Sequence, residues 1–269
     1  MRLVAWNIEN AARRLTELPS AFPALGDPDV LCLQELRIRA QDAADVAALE
    51  RALPGYRCHH SLPRDPRNVT YRGGRAYGVA TFVRIGSGPT ASRALVPDWD
   101  REGRVVITRR PRLSIVNLYA VNGTSKPYFD ETGAPRGDRH TFKREVQRRL
   151  FALADDLRAH GGVILAGDWN VSRTKLDTHP RLRTEEPHAT ARAELNAGLD
   201  AHGLVDIWRH LHPDERGYSW FAPWAKHRLD AARVDYIVVS ADLVPRVRDA
   251  AILPRHPWSD HAPLSLDLA

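Results

Sequence analysis

The stretch RHTFKREVQRRLFALADDLRAHGGVILAGDWN (139–170) decides the fold. Its first part spaces Phe142, Val146, Leu150, Leu153 and Leu157 by 4, 4, 3 and 4, which is one apolar stripe along a helix predicted over about 139–160. Gly161-Gly162 stops that helix. The run that follows, GVILAGD (162–168), is apolar at consecutive positions, as a strand buried on both faces is. A helix that feeds a fully buried strand ending in an acidic group is an α/β layout.

Further strand-like runs lie on either side: LVAWNI (3–8), DVLCLQ (29–34), YGVATFV (77–83), RVVITR (104–109), RLSIVNLYA (112–120), RVDYIVVS (233–240) and PLSLDLA (263–269). Val105 and Ile107, then Leu113 and Ile115, lie two apart, as half-buried antiparallel strands require. The turn at Arg110-Pro111 makes those two runs a predicted hairpin. Other helices are expected over about 38–52, with Val46 and Leu49 inward, and over about 190–202, closed by Gly203. Hairpins beside helices predict mixed sheets in one domain covering 1–269. The stretches 64–75, 121–138 and 171–189 read as long loops, and loops of that length usually carry function.

Composition narrows the class. A chain of 269 residues buries enough surface to build a core without staples. Hydrophobic residues at 43% and charged residues at 27% exclude a disordered or fibrous chain. No apolar run has the length of a membrane span, and MRLVAWNIEN reads as a first strand rather than a secretory leader. Two cysteines, Cys32 and Cys58, make no disulfide framework, so a reducing, cytoplasmic location is expected. The net charge is +6, carried almost entirely by arginine. Guanidinium forks match phosphate oxygens; a solvated basic surface is the ordinary alternative.

Polar residues cluster where strands end. Asn7 and Glu9 end the first, Gln34-Glu35 the second, Asn117, Tyr119 and Asn122 the fifth, and Asp168-Trp169-Asn170 the most apolar one. Arg233 and Asp235 begin another, and Ser259-Asp260-His261 precede the last. Each alone has a plain explanation, such as an Asx turn, a helix start or a satisfied histidine. If the late strands run antiparallel to the early ones, all six segments meet on one sheet rim, where α/β folds place ligands.

This order resembles the exonuclease III-like branch of the endonuclease/exonuclease/phosphatase superfamily, along essentially the whole chain. The residues that carry the resemblance are WNIE (6–9), DVLCLQELR (29–37), YGVA (77–80), EGRVV (102–106), NLYAVNG (117–123), GDWN (167–170), YSWF (218–221), RVDYI (233–237) and SDHAP (259–263). It implies a DNase I-like four-layer α/β sandwich, with two mixed sheets packed face to face and flanked by helices.

The implied chemistry is phosphodiester hydrolysis in duplex DNA, as a 3′→5′ exodeoxyribonuclease, an abasic-site endonuclease, or both. Magnesium takes oxygen ligands and keeps several waters, so one or two carboxylates suffice. Glu35 and Asp260 are the expected ligands, with Asn7 supplying a neutral oxygen or orienting Asp168, and Glu9 acting through water; Mn2+ is the alternative ion. The resemblance makes Asp168 the group that activates water, Tyr119 a donor to the phosphate or leaving oxygen, and Asn170 a holder of water or phosphate. His261 would bind phosphate with Asp235 orienting its ring. Asp168, Asn170 and His261 would form any second metal site.

The segment RGYSWFAPWAKHRLDAAR (216–233) mixes aromatics with basic residues, a mixture that stacks on bases and holds phosphates. Trp220, Phe221, Arg233 and Asn122 are the expected DNA contacts. Ala232 stands where the family commonly has a bulky side chain, leaving a roomier pocket that Trp224 or Trp258 would fill. Val121 stands where the family has proline. The expected partner is double-stranded DNA, with abasic sites or 3′-blocked ends, bound by a monomer that engages no membrane. Two other readings compete: a phosphoesterase of the same fold acting on a small phosphoester (an inositol phosphate, a lipid headgroup or a nucleotide), and a nucleic-acid-binding module without catalysis. Fold alone does not choose among them.

Overall fold

A computed structural model describes residues 1–65, 77–86, 92–182, 185–223 and 230–269. In chain order the elements are β1 (Arg2–Asn7), α1 (Leu18–Leu25), β2 (Val30–Gln34), α2 (Ala43–Arg51), β3 (Tyr56–Ser61), β4 (Val79–Arg84), β5 (Arg93–Leu95), β6 (Val105–Arg110) and β7 (Arg112–Tyr119). Next come β8 (Pro127–Phe129), β9 (Pro135–Asp138), α3 (Arg139–Arg158), β10 (Gly161–Asp168), α4 (His188–Ala201), β11 (Leu204–Asp206) and α5 (Ile207–Leu211). The last are β12 (Trp220–Phe221), β13 (Ala231–Ala232), β14 (Asp235–Ser240), β15 (Val247–Ile252) and β16 (Leu264–Leu268).

Two six-stranded sheets form, ordered β15-β16-β1-β2-β4-β3 and β11-β14-β10-β7-β6-β5. Both are mixed: β1 runs parallel to β2 and antiparallel to β16, and β10 runs parallel to β7 and antiparallel to β14. The alternation of side chains along a strand builds the four layers. Leu3 and Ala5 of β1, Val30 and Cys32 of β2, and Ile164 and Ala166 of β10 pack between the sheets with Ile115, Ile237 and Leu266. Val4 and Trp6 point the other way, onto Leu18, Phe22 and Leu25 of α1 and Leu49 of α2. Val163 and Leu165 meet Phe142, Val146 and Leu150 of α3 and Leu195 of α4. The expected sandwich is the observed one.

The expected helix over 38–52 is shorter, because regular helix begins only at Ala43. The stretch 121–138 is no plain loop, since β8 and β9 pair within it. Two elements have weak sequence patterns. Pro19 lies in the first turn of α1, where proline is tolerated, and Pro23 lies inside the helix. In β3, YRCHHS, the buried His59 ring is 3.0 Å from the Thr108 hydroxyl of β6. Most of the segment 64–75, and Trp224, lie outside the described residues.

Continuing each inward-facing series by two residues leads from apolar to polar. Leu3, Ala5 is followed by Asn7; Val30, Cys32 by Gln34; Ile115 by Asn117 and Tyr119; Ile164, Ala166 by Asp168. Gln34 Nε2 donates to Asn117 Oδ1 across the sheets at 2.7 Å. Gly167, with φ +142°, lets β10 press against β7, where a Cβ would lie 2.0 Å from the Leu118 carbonyl oxygen.

Candidate active site

The rim where the inner faces turn polar gathers Asn7, Glu9, Glu35, Tyr119, Asp168, Asn170, Asp235, Asp260 and His261. Register sets most of this: Asp168 lies opposite Tyr119 on one side and Asp235 on the other. The last loop is tied to β1, because the Ser259 hydroxyl donates to the Asn7 carbonyl at 2.6 Å and Trp6 Nε1 donates to the His261 carbonyl at 3.2 Å.

Asn7 is fully buried and spans the two sheets. Its Nδ2 donates to Glu35 Oε1 at 3.2 Å and to Asp168 Oδ2 at 3.1 Å, while its Oδ1 accepts the Glu9 N–H at 3.0 Å. Glu35 also accepts from Arg37 Nη2 at 3.0 Å. Glu9, Glu35 and Asn170 all have positive φ, at 61°, 56° and 53°. Such backbone is costly for residues with a side chain and concentrates at functional sites.

A second group flanks Asp168. His261 Nδ1 lies 2.8 Å from Asp235 Oδ2, which also accepts the Ser219 hydroxyl at 2.6 Å. Trp220 Nε1 donates to Asp260 Oδ2 at 3.0 Å. Asp168, Asp235 and His261 each offer an atom within 4.8 Å of the others, so the trio could hold a metal ion.

Charge is unbalanced here. Burial, and after it the charge of Asp235, push Asp168 up to about 7. Burial opposes protonation of His261, but Asp235 overrides it and raises the ring to about 10. Burial and then Asp260 raise Glu9. Burial, with Glu35 and Asp168 nearby, lifts Tyr119 well above the phenol range. Carboxylates that crowd one another and present oxygen donors fit a hard divalent cation, which would relieve the repulsion.

One expected contact needs correction. Arg233 is not a DNA ligand: it is completely buried, with Nε 2.7 Å from Asp177 and its two terminal nitrogens 2.9 and 2.7 Å from Asp206. Two buried carboxylates consume the guanidinium before any ligand arrives. Trp220 and Phe221 are half-buried, Asn122 is exposed, and Ala232 is buried opposite Trp220 in the β12–β13 pair.

Sequence reasoning missed several supports. Arg104 Nη1 donates to the carbonyls of Tyr119 and Ala120 at 3.0 and 3.2 Å, and Glu102 holds Arg104 and Arg139. The EGR segment was the available signal. Lys143, inside the helix stripe, donates to the Asn170 carbonyl at 2.6 Å. Ser219 carried no signal beyond its place in YSWF.

Known proteins resemble this chain along its whole length. The chain is 26% identical to an exodeoxyribonuclease of Bacillus subtilis, over 99% of this chain and 98% of that one. It is 25% identical to a DNA-(apurinic or apyrimidinic site) endonuclease of Dictyostelium discoideum, over 99% of this chain and 70% of that one. The structure of the 3′ phosphatase NExo from Neisseria bound to product DNA hairpin superposes with a TM-score of 0.76 at 25% identity, covering 100% of this chain and 99% of that one. The match of residues 4–261 to the family model places the chain in the Endonuclease/Exonuclease/phosphatase family.

Proposed function

We propose that the protein is a Mg2+-dependent DNA-repair nuclease that hydrolyses phosphodiesters in duplex DNA, as a 3′→5′ exodeoxyribonuclease, an abasic-site endonuclease, or both. The observation that carries this reading is the division of labour around Asp168. Asn7 ties it to Glu35 on one side, while Asp235 and His261 stand on the other. The named relatives support the substrate class, and the net charge of +6 suits a polyanion.

Glu35 and Asp260 would hold the Mg2+, with Glu9 reaching it through water; when bound, the ion neutralises phosphoryl charge as a Lewis acid. Asp168, with its proton affinity raised to about 7, accepts a proton from the attacking water. His261, held protonated by Asp235, donates to a phosphoryl oxygen through Nε2. Tyr119, whose proton is held by burial and by the nearby charges of Glu35 and Asp168, serves the leaving oxygen or the phosphate. Asn170 orients water or phosphate through its side-chain oxygen, because its Nδ2 is anchored on the Ala120 carbonyl at 2.9 Å. Trp220, Phe221 and Asn122 contact the DNA. With Ala232 beside Trp220, the pocket admits abasic sugars and 3′-blocked ends without a strict preference.

The test offers the purified protein three end-labelled duplexes with Mg2+: intact, carrying one abasic analogue, and nicked. Incision beside the abasic analogue, or stepwise shortening from 3′ ends, is expected, and EDTA abolishes it. Asp168→Asn removes cleavage while the circular dichroism spectrum stays that of wild type. If none of the three substrates is cut, the DNA reading fails, and hydrolysis of a small phosphoester becomes the reading to pursue.

A further inference from the structure

We propose that Lys143 is a positioning residue of the active site, acting through the backbone of Asn170. Lys143 is the buried lysine of α3, 2% exposed, and it faces the turn that follows β10 rather than solvent. Its ammonium donates to the Asn170 carbonyl at 2.6 Å. An ammonium is expensive to bury without a compensating role. Here it meets a turn that needs fixing.

Asn170 is held at two further atoms. Its N–H donates to Asp168 Oδ1 at 2.8 Å, and its Nδ2 donates to the Ala120 carbonyl at 2.9 Å. With φ at +53° it occupies the left-handed region, which short polar side chains tolerate but do not favour. The Lys143 bond therefore fastens the free side of a strained turn. It fixes where the Asn170 side-chain oxygen points. The Trp169 side chain between Asp168 and Asn170 is buried in the core and prevents the turn from rotating away as a unit.

This inference rests on the reading of Asp168 and Asn170 as reacting groups. The experiment replaces Lys143 with Met, which keeps the length and loses the donor. A small displacement of catalytic groups costs about 100-fold in rate, so kcat falls by about that factor while KM for DNA changes less than about twofold. In an Asn170→Ala background, read with excess enzyme, the same substitution costs little further, because the group it positions is gone. Full turnover of Lys143→Met, or an equal loss in both backgrounds, would overturn the proposal. Should Lys143→Met fail to give the wild-type circular dichroism spectrum, the comparison is made with Lys143→Gln. That side chain stays polar but ends short of the carbonyl, and the same outcomes decide.

A second readout needs no catalysis. Deuterium uptake in the metal-free protein rises in the segment 168–172 on substitution and stays unchanged in β1 and β14. Unaltered uptake in 168–172 also overturns the proposal. If wild type cuts no DNA at all, the nucleolytic reading fails alone, and exchange still judges the clamp.

Discussion

Asn7 Nδ2 stands 3.1 Å from Asp168 Oδ2, and this contact joins the end of β1 in one sheet to the end of β10 in the other. The same nitrogen serves Glu35 at 3.2 Å, so a neutral amide separates two carboxylates that would otherwise repel.

Replacing Asn7 with Asp puts a third carboxylate between them. A preorganised donor removed from a site of this kind costs about 100- to 1,000-fold in kcat, and Asn7→Asp is expected in that range. Steady-state kinetics on an end-labelled duplex checks it. A variant within threefold of wild type would remove Asn7 from the machinery.

Glu35→Gln keeps the shape and deletes one negative charge. The Mg2+ concentration for half-maximal rate is expected to rise by roughly 10- to 100-fold, the usual loss on weakening a metal site. Mg2+ titrations at fixed DNA read this directly, and calorimetric titration of the protein with Mg2+ alone gives a second value. An unchanged half-saturation would move the ion away from Glu35.

The Asp235–His261 pair predicts a pH signature. Asp235 raises the folded-state histidine from 6.5 to about 10. The stabilisation is therefore complete below the ordinary histidine value and is lost as pH climbs through about 10. In Asp235→Asn the ring loses its principal partner and keeps only the attraction of Asp168 and Asp260 against burial, so its pKa falls from that value. Urea unfolding between pH 6 and 11 is expected to show a gap between the two proteins that is widest at the acid end and closes toward the alkaline end. A gap independent of pH would mean that the pair carries no proton.

Arg233→Met takes one arginine from each of the buried Asp177 and Asp206, leaving Arg209 on the first and Arg173 on the second. Removing one partner from such a network costs about 3–5 kcal/mol, a fall in Tm of roughly 10 °C for a chain of this size. KM for DNA in the folded fraction is expected to stay at the wild-type value. A variant that melts like wild type but binds DNA weakly would restore Arg233 to the interface.

Much of the site was legible because strand parity is legible. Leu3, Ala5 and Asn7 share a face, as do Ile164, Ala166 and Asp168, so polar residues two beyond an apolar series had to meet at one rim. Side chains arriving from helices and loops follow no such rule. Lys143 occupies a position in the α3 stripe that reads as a solvated flank. Ser219 and Arg104 act on backbone and carboxylates that only tertiary structure brings near. Arg233 failed as a DNA ligand for a related reason: a sequence does not say which arginines buried acids consume. The helix α1 escaped notice because its prolines mask the apolar set Leu18, Phe22 and Leu25.

The ties between the two ends of the chain bear on how the enzyme is made. Ser259 and Asn7 are bonded across 252 positions, and the first strand pairs with the last through Leu3 and Leu266. His261 and Asp260 leave the ribosome after every other site residue, and β1 waits for β16 with one edge unpaired. A nascent chain thus holds Asn7, Glu35 and Asp168 before Asp260 and His261 have been made. The gathering of the rim and completion of the sheet that holds β1 therefore coincide, so a truncated or stalled product is left with an open strand edge.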